Sequence, residues 1–167
     1  MNLYVLRHAE AVRSGEGIRR DAERPLSAQG AADAALVGGA LARLDPAIAH
    51  VLCSPLRRAR QTAEVVAAQF SRAPDVQETE SLSPGFRPGA LIERLQEISA
   101  DESVAVVGHQ PDLGSFLAFV IEGESALSIT LPPAAVAHVR FDGDVTTAAS
   151  LRWLVGPDII KALLSPR

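Results

Sequence analysis

Short apolar runs alternate with stretches of helical periodicity, and this alternation constrains the fold of the 167-residue chain more than any single motif. The runs 3–7, Ile48–Cys53 and Ser103–Gly108 are nearly continuous in apolar residues, as strands buried on both faces are. Between them lie amphipathic segments. Ser27 is placed to cap a helix carrying Leu36, Val37, Ala40, Leu41 and Leu44 on one side, and Asp45-Pro46 stops it. Ser54-Pro55 reads as N-cap and first position of a second helix running to about Phe70. A short strand is expected at 74–79, a loop at 80–89, a helix at 90–99, and another helix opened by Pro111. Segments 134–141 and 146–154 then read as two strands around an Asp142-Gly143-Asp144 turn, with a short helix after Pro157. The expected architecture is α/β: three layers, αβα, with a mostly parallel central sheet and a late antiparallel hairpin.

The length suits a single domain spanning 1–167. One cysteine, Cys53, excludes an intramolecular disulfide and every multi-cysteine zinc motif. Sixteen Lys and Arg against twenty Asp and Glu leave a net charge of −4, which speaks against nucleic acid as a partner. The N-terminal apolar run ends at Arg7, too early for a signal peptide, and no apolar run reaches about 18 residues. A cytoplasmic protein that engages no membrane is expected.

Chemistry collects where strands end. The first strand runs into Arg7-His8-Ala9-Glu10, the second into Ser54-Pro55-Leu56-Arg57-Arg58-Ala59-Arg60-Gln61-Thr62, and the strand Ser103–Gly108 into His109-Gln110-Pro111. Groups just beyond the carboxyl ends of parallel strands share one crevice, so two histidines and at least two arginines are expected to converge from about 100 residues apart. Helix N-termini after Ser54 and Gln110 add positive dipole ends. Such a crevice attracts a phosphoryl group.

Arg-His near the N-terminus, Ser-Pro-x-x-Arg-Ala-x-x-Thr after the second strand and Gly-His after a late strand resemble the histidine phosphatase superfamily, which includes phosphoglycerate mutase-like enzymes. The segment Asp21-x-x-Arg24-Pro25-Leu26-Ser27-x-x-Gly30 resembles its SixA-type phosphohistidine phosphatase branch. The resemblance implies a phosphoglycerate mutase-like fold and a metal-independent phosphatase that needs no cofactor. It implies His8 as the nucleophile forming a transient phosphohistidine, Arg7 and Arg58 as holders of the non-bridging oxygens, and His109 as the remaining phosphate-binding group. Arg58 stands four residues after Ser54, at the family's arginine position; Arg57 and Arg60 read as solvated, with Arg57 a candidate for recognising an acidic partner.

One departure concerns the proton donor. Mutase-like members place a glutamate two residues after a mid-chain leucine, where this chain reads Leu82-Ser83-Pro84. Glu10 and Glu80 are the nearest candidate donors, with Asp21 and Asp112 behind them. A missing acid harms hydrolysis of alkyl esters more than of phosphohistidine, whose imidazole leaves readily once its ring is protonated. About 30 residues separate the second helix from the strand at Ser103, too few for a large cap, so an open site for a protein-borne phosphohistidine is expected. Through the resemblance, the partners are a histidine-phosphotransfer domain or a phosphocarrier, with inorganic phosphate as product. Small phosphate esters or anhydrides form an alternative substrate class, and a non-catalytic phosphoprotein-binding module forms an alternative of another kind.

His50, His138, Cys53 and Trp153 read as structural. Cys53 fails the Cys-x5-Arg spacing of cysteine phosphatases by one residue, and Gly15-x-Gly17 reads as a loop because Arg20 stands where a dinucleotide fold needs glycine.

Overall fold

The computed structural model describes residues 1–13, 15, 19–123 and 129–164; Gly17 lies outside them. Strand β1 (Asn2–Arg7) leads through a loop to α1 (Ala28–Leu44), β2 (Ile48–Cys53), α2 (Arg57–Ala67), β3 (Asp75–Glu78), α3 (Pro88–Gln96), β4 (Ser103–Gly108) and α4 (Asp112–Glu122). Strands β5 (Val136–Arg140) and β6 (Ser150–Val155) and helix α5 (Pro157–Leu164) follow, and single 3-10 turns sit at Asp21–Glu23 and Glu80–Leu82. The strands make one sheet in the order β3-β2-β4-β1-β5-β6, in which β5 pairs antiparallel with both β1 and β6 and the other pairs are parallel.

Alternation along each strand sends side chains to two cores. Leu3, Val5, Val104 and Val106 pack with Leu91, Leu95, Leu113, Phe116 and Leu117 of α3 and α4. Tyr4, Leu6, Ala105 and Val107 pack with Val37, Leu41, Ala63, Val66 and Ile160 of α1, α2 and α5. All six residues of β4 are buried, which is why its sequence is apolar without alternation. The three-layer αβα arrangement with a late antiparallel pair is the one expected. Among the described residues, no helix is long and apolar enough to cross a membrane.

Helix α1 starts as its sequence dictates. Ser27 Oγ accepts from the Gly30 amide at 3.0 Å. Gly30 is required there because a Cβ would lie 2.1 Å from the Glu10 carbonyl oxygen, where the loop after β1 crosses the helix.

Two expectations are corrected. Helix α2 does not start at Ser54-Pro55; its N-cap is Leu56 and its first residue Arg57. The Ser54 hydroxyl is instead shared by the Leu56 amide (3.3 Å) and His109 Nε2 (2.8 Å). The late pair is also not joined by a tight turn at Asp142-Gly143-Asp144. Asp144 folds a turn of its own, accepting from Thr146 N through its carboxylate (2.8 Å) and from Thr147 N through its carbonyl (3.0 Å), and the Ala149 amide donates to Val120 O at 2.6 Å. These bonds hold the connection off the ladder, so β6 begins at Ser150.

The residues read as structural are so placed. His50 Nε2 meets Glu102 at 2.9 Å, and His138 stacks on Tyr4 at 4.6 Å between ring centroids and lies 5.3 Å from Trp153. Cys53 is fully buried, and burial first, then Glu78, pushes its thiol up to about 12.

Candidate active site

Register brings the strand ends level. Arg7 pairs with Gly108 across β1 and β4, and Cys53 pairs with Val107 across β2 and β4. The ladder runs one residue further: His8 N donates to Gly108 O (3.0 Å) and Ser54 N to Val107 O (3.0 Å). His8, Ser54 and His109 therefore stand in one row beyond the sheet. Because β5 runs antiparallel to β1, the segment before it enters beside that row, with Arg7 N donating to Ala135 O (3.1 Å) and Ala134 N to His8 O (3.3 Å). Ala134 takes φ +59° to do so, a left-handed conformation that costs a non-glycine residue about 1 kcal/mol.

The row and its neighbours form a cradle of two imidazoles and two guanidiniums, suited to an anion. The rings of His8 and His109 lie 5.0 Å apart between centroids. His8 Nδ1 meets the Ala9 carbonyl at 2.8 Å, and since a carbonyl only accepts, the proton sits on Nδ1 and the lone pair on Nε2. That Nε2 accepts from Arg58 Nε at 3.2 Å. Arg58 is buried, with Nη1 at 3.0 Å from both the backbone oxygen and Oδ2 of Asp21. Arg7 Nη1 donates to Leu131 O at 2.8 Å. Two buried polar atoms here, Arg7 Nε and His109 Nδ1, have no hydrogen-bond partner among the described residues. An unpaired buried polar atom costs roughly 1–3 kcal/mol; an anion would satisfy Arg7 Nε, and His109 Nδ1 as well in the tautomer that carries its proton there.

Burial, then Arg58 and Arg7, pushes His8 down to about 4, against a smaller upward pull from the Ala9 carbonyl. Burial, then His8 and Arg58, pushes His109 down to about 3, with Asp21 pulling the other way. Both imidazoles are therefore neutral near pH 7, and His8 holds an unprotonated nitrogen among guanidinium groups.

Residues 3–83 match the histidine phosphatase superfamily (branch 1). The chain is 32% identical over 166 residues to an uncharacterised protein of Picosynechococcus, covering 93% of this chain and 99% of that one. The chain belongs to the histidine phosphatase superfamily, branch 1. Within it, the phosphohistidine phosphatase SixA of Escherichia coli is 27% identical over 163 residues, covering 96% of this chain and 97% of its own. The solved structure of the protein histidine phosphatase SixA complexed with tungstate superposes with a TM-score of 0.83 at 26% identity, covering 96% of this chain and 99% of that chain.

Arg7, His8 and His109 at the strand ends and Arg58 in the first turn of α2 thus stand together in this histidine phosphatase superfamily member, while the carboxylates nominated as proton donors are spread. Glu10 accepts from the Ser27 hydroxyl at 2.7 Å, at the start of α1. Glu80 accepts from the Ser83 hydroxyl at 2.6 Å, and Asp112 from the Gly85 amide at 3.0 Å. Asp21 is the carboxylate joined to the cradle, through Arg58. Arg57 is exposed, its Nη1 3.5 Å from Glu23 O. Three features escaped the sequence reading: the Ser54–His109 bond, the Leu131 carbonyl under Arg7, and the Asp21–Arg58 contact. Only the Asp21-x-x-Arg24 segment hinted at the last.

The depressed imidazoles set a stability profile. In the unfolded chain both are ordinary bases near 6.5, so on acidification the unfolded form takes up protons first. Stability is unaffected above about pH 6.5 and falls as pH drops towards 4, by on the order of 3 kcal/mol from His8 alone. Thermal melts from pH 7 to 4 are expected to show this loss, and a His8→Asn variant to lack much of it. Tungstate or inorganic phosphate is expected to raise the melting temperature by mass action. A His8→Asn profile identical to the parent's would contradict the pKa assignment.

Proposed function

We propose that this protein is a phosphatase working through a covalent phosphohistidine on His8, and that it dephosphorylates phosphohistidine in a signalling or phosphocarrier protein. The observation that carries this reading is the state of His8: its proton is held on Nδ1 by the Ala9 carbonyl, so the lone pair faces Arg58 from Nε2. Pure anion binding would need the arginines and no nucleophile of this kind.

In the proposed cycle, a phosphoryl group enters the cradle and Arg58 Nε moves from His8 Nε2 to a non-bridging oxygen. Arg7 Nε takes a second oxygen. In the tautomer the cycle uses, Ser54 donates to His109 Nε2, so the His109 proton sits on Nδ1 and makes that atom a further donor to the phosphoryl group. The Nε2 lone pair forms the new N–P bond while the substrate P–N bond breaks, its electron pair returning to the substrate ring nitrogen. Water then attacks phosphorus, the Nε2–P bond breaks, and inorganic phosphate leaves with His8 restored. Because Nε2 must be unprotonated, turnover is expected to hold from neutrality to about pH 5 and to fall towards 4.

Likeness to SixA over nearly the whole chain supports phosphohistidine as substrate. The stretch between α2 and β4 supports it too, since it holds only β3, a 3-10 turn and α3, and α3 packs under the sheet with α4. The chain is thus expected to meet a phosphorylated domain rather than enclose a small ester. The test is to mix the protein with a protein bearing radiolabelled phosphohistidine, quench early and digest. Base-stable, acid-sensitive label on the His8 peptide is expected. Turnover with no such label would overturn the covalent route, and faster labelling from sugar phosphates would overturn the substrate class.

A further inference from the structure

Asp21 lies in the 3-10 turn Asp21–Glu23, far in sequence from every strand end, yet it is tied into the cradle. Its Oδ2 is 3.0 Å from Arg58 Nη1 and its Oδ1 is 3.0 Å from Arg24 Nη1. Arg24 is itself fixed, its Nε donating to Val12 O at 2.7 Å. Two guanidiniums thus lock the carboxylate in place, one of them the group that touches His8 Nε2. Its charge also reaches His109 across the cradle. Arg58 is 8% exposed in its side chain but Asp21 is 59% exposed, so the carboxylate stands at the mouth and the guanidinium on the wall.

A proton donor cannot be built this way. The hydrogen bond from Arg24, then the charge and hydrogen bond of Arg58, hold the carboxyl below its ordinary value, so it is ionised and accepts only. Each carboxylate oxygen has two lone-pair sites, and one guanidinium contact on each leaves further capacity open to solvent.

Phosphohistidine offers a partner for that capacity, which phosphate esters lack. For its imidazole to leave as a neutral ring, the nitrogen not bound to phosphorus must carry a proton, which makes the reacting ring cationic. The electron pair of the breaking P–N bond then neutralises it. In-line attack by His8 Nε2 places the leaving ring on the far side of phosphorus, towards the mouth. We propose that Asp21 is a specificity-determining residue that accepts the ring N–H of the leaving imidazole, keeping it protonated and so favouring phosphohistidine over esters with an anionic leaving group. An aryl phosphate gains nothing from this carboxylate, since its leaving oxygen becomes negative beside it.

The inference rests on the proposed phosphohistidine reading, and one experiment separates the two. The native protein, Asp21→Asn and Asp21→Glu are compared on a phosphohistidine-bearing peptide and on p-nitrophenyl phosphate, with folding checked by circular dichroism. Losing an Arg58 anchor lowers both rates in Asp21→Asn. The ratio of kcat/KM for phosphohistidine to that for the aryl phosphate is expected to fall at least tenfold, and Asp21→Glu to recover most of it. A ratio that is unchanged or raised in Asp21→Asn would mean that Asp21 only positions Arg58, overturning the inference while leaving the phosphatase reading intact. If the native protein turns over p-nitrophenyl phosphate but not the peptide, the substrate reading itself fails.

Discussion

Replacing His8 with alanine is expected to lower kcat for phosphohistidine hydrolysis by on the order of 10^4-fold, the scale seen when a covalent nucleophile is removed. His8→Ala removes the Nε2 lone pair but leaves Arg7, Arg58, His109 and Ser54, which do not depend on its ring for their backbone positions. Anion binding should survive in the variant, and inorganic phosphate or tungstate is expected to protect it against thermal unfolding. Single-turnover kinetics together with a ligand-dependent melt measure both quantities. A His8→Ala protein that keeps native turnover would remove the covalent route, and one that loses both turnover and anion binding would show the ring to be a structural support of the cradle.

Arg58→Ala is expected to cost about 3 kcal/mol of transition-state stabilisation, roughly a 10^2-fold loss in kcat/KM. Arg58→Lys should recover little of it. Arg58 works through two nitrogens of one fixed plane: Nε reaches His8, and Nη1 is held by Asp21 at two points. An ammonium is one point charge on a flexible stem and cannot hold both directions. Relief of the guanidinium's charge should also let His8 rise from about 4, moving the acid limb of the pH profile of Arg58→Ala to higher pH. Steady-state profiles of both variants test this. A lysine variant with native kcat/KM would mean that charge alone matters.

Most of the frame could be read from residues 3–107 because burial on both faces leaves a signal no helix imitates: brief apolar runs, each closed by a turn residue or a polar cluster. Arg7, His8 and His109 are legible because they break those runs at the ends where a parallel sheet binds ligands, whereas Arg58 is told from Arg57 and Arg60 only by the resemblance to the family's motif. Ser54 misled for a physical reason. A serine before a proline satisfies the chemistry of a helix cap, and only a partner 55 residues away decides that its hydroxyl serves a histidine instead. The turn at Asp21 is legible as a loop, but nothing local says that the loop folds back onto α2. The expected strand 146–154 starts too early because Thr146 and Thr147 suit a strand, whereas Asp144 claims their amides for a turn.

Strand β1, which carries Arg7 and leads into His8, sits between β4 and β5, flanked by residues made more than ninety positions later. A chain emerging from the ribosome therefore exposes an apolar ribbon with neither neighbour beside it until β4 is made about 100 residues later, and with one side open until β5 follows. Such distant pairings are slow to form because loop closure comes before any gain in contacts. The site is therefore completed late, since Arg7 gains its Leu131 carbonyl and its ladder bond to Ala135 only when that segment has been made.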